Sequence, residues 1–290
     1  MNIDGKALAQ ELRDSLAVEV KQLQDERGIT PGLTVILVGE DPASQVYVRN
    51  KVRQTKEVGM ISNEIRMPAE TSQQALLDEL DKLNTDPAVH GILVQLPLPK
   101  HIDEALIIDT ILPEKDVDGF HPMNIGKMVL GEPTLLSATP QGILYLLETN
   151  KITTKGKNVV VLGRSNIVGT PMAILLSRKS DLGDATVTLC HSRTENLAEI
   201  TLKADIIIAA IGQAEFLKAD MVKKDVVIID VGMHRIPDDK DARGYRLTGD
   251  VDFDKVSKKA SYITPVPGGV GPMTIAALLK NTLLAAKNRF

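Results

Sequence analysis

Tyr47 and Lys51, in Tyr47-Val-Arg-Asn-Lys51, are the residues whose types and spacing most suggest chemistry. Positions i and i+4 of a helix share a face, so a phenol and an amine would point the same way. A phenol ring can stack on a flat heterocycle. An amine taken out of water loses affinity for its proton and can serve as acid or base. Arg49, Arg53 and Lys56 lie on the same stretch, so a basic solvated face is the blander account of the pair. Asp118-Gly119, after Asp116-Val117, offers a carboxylate able to accept two hydrogen bonds from a guanidine-like ring edge; Asp-Gly is also a common turn. Gln95 opens Gln95-Leu-Pro-Leu-Pro99, where proline must end any strand, and ligands of open α/β sheets gather beyond the carboxyl ends of strands.

These residues need elements to position them. Apolar residues at helical spacing (Leu8, Leu12, Leu16, Val20, Leu23) predict a helix from Asp4 to about Arg27, closed by Gly28. Leu33 to Val38 reads as a buried strand. Asp41-Pro42 then opens a helix running to about Val58, because Asp caps well and Pro suits the first turn. Strands are expected at Asn63 to Met67 and Ile92 to Leu96, with a helix over Ser72 to Leu83 between them. That alternation implies a parallel sheet covered by helices. Lys115 to Asn124 reads as a loop.

A second half begins near Leu136 to Thr139. A helix over Gln141 to Glu148 and strands at Lys157 to Leu162, Thr186 to Cys190, Asp205 to Ile211 and Val226 to Val231 follow. Tyr262 to Val266 is a short sixth strand candidate, and Met273 to Lys287 a final helix. The segment Gly163-Arg-Ser-Asn-Ile-Val-Gly169 joins a strand to a helix ending at Ser177, an altered form of the glycine fingerprint that cradles a pyrophosphate; taken alone, a structural turn explains it too. At the next strand end stands Cys190-His-Ser-Arg-Thr194. The acid that holds the ribose 2′-hydroxyl in NAD sites is replaced by Ser192 and Arg193, and Arg164 adds a second cation. A charge-assisted hydrogen bond contributes about 1.5–3 kcal/mol, worth roughly tenfold to a hundredfold in affinity, so these residues favour NADP. The alternative for Arg193 is a solvated loop residue.

The 290 residues suggest two domains, and 43% hydrophobic with 25% charged residues permits a sizeable core. A net charge of −4 argues against nucleic acid as a partner. One cysteine excludes an intrachain disulfide, and the five histidines show no ligand spacing, so no metal is expected. Met1-Asn2-Ile3-Asp4-Gly5-Lys6 lacks an apolar signal core and the apolar runs are too short for a bilayer, so a soluble cytoplasmic protein without membrane contact is expected.

Four segments occur together and in order: Gln95 to Pro99, Lys115-Asp-Val-Asp-Gly-Phe-His-Pro122, Gly163 to Gly169, and Thr264-Pro-Val-Pro-Gly-Gly-Val-Gly-Pro-Met-Thr274. On these segments the chain resembles bifunctional methylenetetrahydrofolate dehydrogenase (NADP⁺)/methenyltetrahydrofolate cyclohydrolases, from about Gly5 to the last helix. The resemblance implies a two-domain α/β fold: a parallel-sheet folate-binding catalytic domain at 1–138, joined by the terminal helix 272–290, and a Rossmann-type NADP-binding domain at 139–271, with the active-site cleft between them. It implies Lys51 as catalytic acid/base, Tyr47 packing on the folate, Gln95 positioning the lysine and Asp118 holding the pterin edge. Gly163, Arg164 and Ser165 would form the NADP turn, with Ser192 and Arg193 near the 2′-phosphate. Met233 would line the nicotinamide pocket, and Pro267, Gly268 and Gly269 would border the folate. A cytoplasmic homodimer serving one-carbon metabolism and purine biosynthesis is implied as well. A monofunctional dehydrogenase is the alternative. The chain departs from the family at Ser137-Ala138-Thr139-Pro140, where Pro-Cys-Thr-Pro is common; any role for a cysteine there is thereby in doubt.

Overall fold

The computed structural model describes residues 1–239, 241 and 244–288; the last two positions of the expected domain segment 272–290, and positions 240, 242 and 243 of the expected domain 139–271, lie outside the described residues. In chain order the elements are α1 (Gly5–Arg27), β1 (Gly32–Val38), α2 (Pro42–Glu57), β2 (Ile61–Met67), α3 (Gln73–Thr85), β3 (Gly91–Val94), α4 (Glu104–Thr110), α5 (Pro122–Leu130) and α6 (Ala138–Thr149). Then follow β4 (Asn158–Leu162), α7 (Gly169–Ser177), β5 (Thr186–Cys190), α8 (Leu197–Thr201), β6 (Ile206–Ala209), β7 (Val227–Asp230), β8 (His234–Pro237), β9 (Tyr245–Thr248), α9 (Phe253–Val256), β10 (Tyr262–Ile263) and α10 (Val270–Ala286). No helix of the described residues is long and apolar enough to cross a membrane.

The chain divides into two compact units, 10–138 with 275–290, and 1–9 with 139–274. In the first, parallel strands run in the order β2-β1-β3. Every residue of β1 is buried, as a strand covered on both faces must be, whereas β2 on the edge is partly exposed. Ile36, Leu76, Leu80, Ile92, Val94 and Ile107 form the core between sheet and helices. Asp41 caps α2 by accepting from Ser44 N at 2.7 Å, and Pro42 occupies its first turn.

In the second unit the parallel order is β10-β7-β6-β4-β5. The chain moves outward from β4 to β5 and then crosses to β6 on the other side. The carboxyl ends of β4, β5 and β6 therefore flank a topological switch point, where doubly wound sheets bind ligands. Val160, Leu162, Ile207, Ala209 and Ile228 pack its core. The first nine residues, assigned by sequence to the folate-binding region, group with this unit because Ile3 N donates to Ile263 O at 2.9 Å and Lys6 N to Gly268 O at 2.9 Å.

Several expectations shift. The strand expected to reach Leu96 ends at Val94. The strand expected to Val266 is only Tyr262–Ile263, cut short by Pro265. The stretch from Lys115 to Asn124 is not loop throughout: α5 begins at Pro122, with His121 Nδ1 capping it from Met123 N at 3.0 Å. The α4 helix and the antiparallel β8–β9 hairpin were not foreseen. Both are short, and neither carries a long periodic pattern.

Asn281 of α10 is fully buried and its Nδ2 donates to Val117 O and Leu136 O, both at 2.8 Å. It thus ties the chain on either side of the 118–135 excursion to the last helix. Replacing it with Leu would leave these inward-facing carbonyls without that donor. The expected loss is on the order of 2–3 kcal/mol, read as a lower urea midpoint with an unchanged slope.

Candidate active site

Residues of α2 separate by face. Arg49, Arg53 and Lys56 are exposed, while Ser44, Val48, Lys51, Gln54 and Thr55 are buried. The basic-face account therefore fails for Lys51, which is 8% exposed. Its Nζ donates to Gln95 Oε1 at 3.0 Å. Gln95 directly follows β3, and its Nε2 donates to Leu96 O at 2.7 Å, so the amide oxygen is the end left to receive the lysine. Thr55 Oγ1 bonds the Lys51 carbonyl at 2.7 Å, steadying the turn that carries the amine.

Burial lowers the Lys51 pKa, and the negative charge of Asp118 partly restores it. Asp118 is pushed up to about 6, first by desolvation and also by neighbouring Asp116, against the pull of Lys51. Two groups with ordinary pKa values far apart are thus drawn towards each other, a pattern of acid–base sites. Tyr47, one turn before Lys51, is 37% exposed as a residue, and desolvation raises its hydroxyl pKa.

The turn that presents Asp118 is built in detail. Asp116, 2% exposed, accepts from Gly119 N (3.1 Å), His121 N (2.8 Å) and Asn124 Nδ2 (2.9 Å). Gly119 has φ 72°, and a Cβ there would lie 2.5 Å from Ser137 N, so only glycine fits. Ser137, fully buried, donates its hydroxyl to Gly119 O at 2.9 Å, and Ala138 N donates to Asp118 O at 3.2 Å. The serine that departs from the resembled pattern therefore has a structural task.

The second unit holds a cavity of about 530 Å³ at the carboxyl ends of β4, β5 and β6, lined among others by Gly163, Arg164, His191, Ser192, Ile211 and Gln213. Gly163 has φ 103°, and its missing Cβ would lie 1.9 Å from Ala210 O; a Cβ on Gly169 would lie 2.0 Å from Gly163 O. Glycine is required at both ends of the turn. Ser165 Oγ accepts from Val168 N at 3.2 Å and Gly169 N at 3.4 Å, so these two amides at the helix start already have a partner in its hydroxyl. Arg193 is exposed and, with Ser165 and Met233, is not among the lining residues. His191 and Gln213, which line it, escaped the sequence reading; the Gly212-Gln213 pair directly beyond the β6 strand region was the available signal. Pro267, Gly268 and Gly269 lie in the same unit, pinned to the amino-terminal residues through the Lys6–Gly268 bond. A glycine-forced turn, a cavity with donors and a guanidinium, and no carboxylate in its lining fit a phosphorylated dinucleotide.

A doubly wound nucleotide-type unit and a second α/β unit carrying a buried amine with an amide and a carboxyl beside it define a two-unit dehydrogenase-like enzyme. Residues 3–118 match the family model of the tetrahydrofolate dehydrogenase/cyclohydrolase catalytic domain, and residues 137–290 that of the NAD(P)-binding domain. The chain belongs to the tetrahydrofolate dehydrogenase/cyclohydrolase family. It is 58% identical over 285 residues to the bifunctional protein FolD of Prosthecochloris aestuarii, covering 98% of this chain and 97% of that one. The crystal structure of the bifunctional FolD methylenetetrahydrofolate dehydrogenase/cyclohydrolase of Campylobacter jejuni superposes with a TM-score of 0.94 at 47% identity, covering 100% of this chain and 99% of that one. The Trypanosoma brucei dehydrogenase-cyclohydrolase, solved with NADP and an inhibitor, gives 0.94 at 41% identity, covering 99% and 97%.

Because the Lys51 charge holds Asp118 down, removing it has a defined sign. In Lys51→Met, Asp118 is expected to titrate above about 6. Side-chain carboxyl NMR across pH 4–9 reads this directly; an unchanged or lower midpoint would mean the two groups do not interact.

Proposed function

We propose that this chain oxidises 5,10-methylenetetrahydrofolate to 5,10-methenyltetrahydrofolate with NADP⁺ and hydrolyses the product to 10-formyltetrahydrofolate. The observation that carries the reading is the buried Lys51 amine, bonded to Gln95 and balanced by Asp118.

In the hydrolytic step, water oxygen bonds the methenyl carbon and one water proton must leave. Lys51, whose hold on a proton is weakened by burial, is the group to take it. The second proton passes from the resulting hydroxyl to the ring nitrogen as the carbon–nitrogen bond breaks, and Lys51 serves that transfer too. Gln95 keeps the amine pointed and Asp118 accepts from the pterin edge. Tyr47, exposed one turn away, offers its ring to the folate.

NADP⁺, when bound, supplies the hydride acceptor for the oxidation. Gly163, Arg164 and Ser165 would shape the turn that receives its phosphates. Ser192 and Arg193, supported by Arg164 in the cavity wall, would read the 2′-phosphate. Met233 would border the nicotinamide, and Pro267, Gly268 and Gly269 the folate. Losing hydride leaves a cation spread over two substrate nitrogens, so the oxidation asks the protein chiefly for positioning. We assign folate binding to residues 1–138 with the terminal helix, and cofactor binding to 139–271. A cytoplasmic homodimer feeding purine biosynthesis completes the proposal; β5, at the end of the sheet order, offers an edge to a second copy.

Lys51→Met is expected to abolish cyclohydrolase activity, followed as the decay of methenyl absorbance; full hydrolysis by this variant removes the mechanism. Arg164→Glu and Arg193→Glu are expected to raise the KM for NADP⁺ roughly tenfold or more, with a much smaller effect on NAD⁺. Equal effects on both nucleotides would mean that neither arginine reads the phosphate.

A further inference from the structure

A second cluster of buried carboxylates lies in the nucleotide unit, and the chemistry above makes no use of it. Asp250 is fully buried, and four donors converge on it. Oδ2 accepts from Ile211 N (2.6 Å) and Gly212 N (3.0 Å); Oδ1 accepts from Gln213 N (3.1 Å) and His234 Nε2 (2.7 Å). Four donors fill the acceptor capacity of an ionised carboxyl group, so an amide in its place must turn N–H groups towards N–H groups. Behind it, Asp230 accepts from Gly232 N (3.0 Å), Asp250 N (2.9 Å) and Val251 N (3.0 Å). A Cβ on Gly232 would lie 2.3 Å from Asp250 Oδ1, so glycine there leaves the room the carboxylate occupies.

We propose that Asp250, latched by His234, is a positioning residue for the nucleotide: it sets the Ile211–Gln213 segment, two of whose side chains line the cavity, and ties that segment to the β8–β9 hairpin. Backbone bonds beyond the segment, Glu215 N to Gly249 O and Leu217 N to Asp250 O (both 2.9 Å), hold the chain nearby without any side chain. Residues 211–213 have the Asp250 carboxylate as their shared acceptor. Loss of the carboxylate therefore loosens one wall of the cavity and leaves the sheet in place. The inference rests on the nucleotide reading of this cavity.

The experiment has two arms. Amide hydrogen exchange of the ligand-free protein tests the clamp itself. In Asp250→Asn, exchange over 211–213 is expected to rise at least tenfold with the β4 amides unchanged; unchanged exchange over 211–213, or an equal rise across β4, overturns the proposal. NADPH binding, read by its fluorescence, tests the consequence. The Kd is expected to rise at least tenfold in Asp250→Asn and at least threefold in His234→Ala and Gly232→Ala. Wild-type Kd values in folded variants overturn it. Should Asp250→Asn not fold, the same two measurements on His234→Ala and Gly232→Ala decide. Failure of the wild-type protein to bind NADPH, with the exchange effect still seen in Asp250→Asn, would refute the nucleotide reading and leave the clamp standing.

Discussion

A charge removed from water must be answered within reach, or the group gives up its proton. Burial moves Lys51 in that direction. Gln95 supplies an oxygen without a charge, and Asp118 supplies a carboxyl whose pKa is itself pushed up to about 6 by burial. A full ion pair would keep the ammonium permanently protonated, and an apolar wall would keep the amine permanently neutral. Here burial lowers the Lys51 pKa and the charge of Asp118 opposes part of that shift. The rest of the first unit can be read as the means of keeping these three groups where they are.

The first unit meets that demand by cross-bracing. The amine rides on a capped helix, the amide follows a fully buried strand, and the carboxyl sits on a turn whose glycine admits no side chain. Asp116, Ser137 and Asn281 hold that turn from three directions. The nucleotide unit repeats the device with different residues: Asp230 and Asp250 gather the amides of three separate loops onto two carboxylates. In both units short carboxylates organise the irregular backbone, because loops at the end of a sheet need acceptors that the ladder cannot provide.

The sequence made the layered plan and the parallel strands legible, because runs such as Leu33 to Val38 and Lys157 to Leu162 leave few other readings. It also picked out Lys51, Gln95 and Asp118, but through the company of motifs; helical spacing alone also fitted a basic surface. The face of a helix that turns inward is set by the core it packs on, and this distinguishes Lys51 from Arg49, Arg53 and Lys56. Arg193 and Arg164 looked alike in sequence, yet only Arg164 lines the cavity. Asp250 and His234 were invisible for a different reason. Asp250 takes its meaning from bonds to Ile211, Gly212 and Gln213, 37 to 39 positions away, and His234 from its bond to Asp250, and no local pattern announces such partners.

The contact that joins Asn281 to Val117 and Leu136 spans 164 and 145 positions of chain. Synthesis runs from the amino end, so the strand and turn bearing Gln95 and Asp118 leave the ribosome long before the helix that braces them. The nucleotide unit, complete by Thr274, has all its strands available earlier. In chain order, every residue lining the nucleotide cavity therefore precedes the helix that braces the turn bearing Asp118.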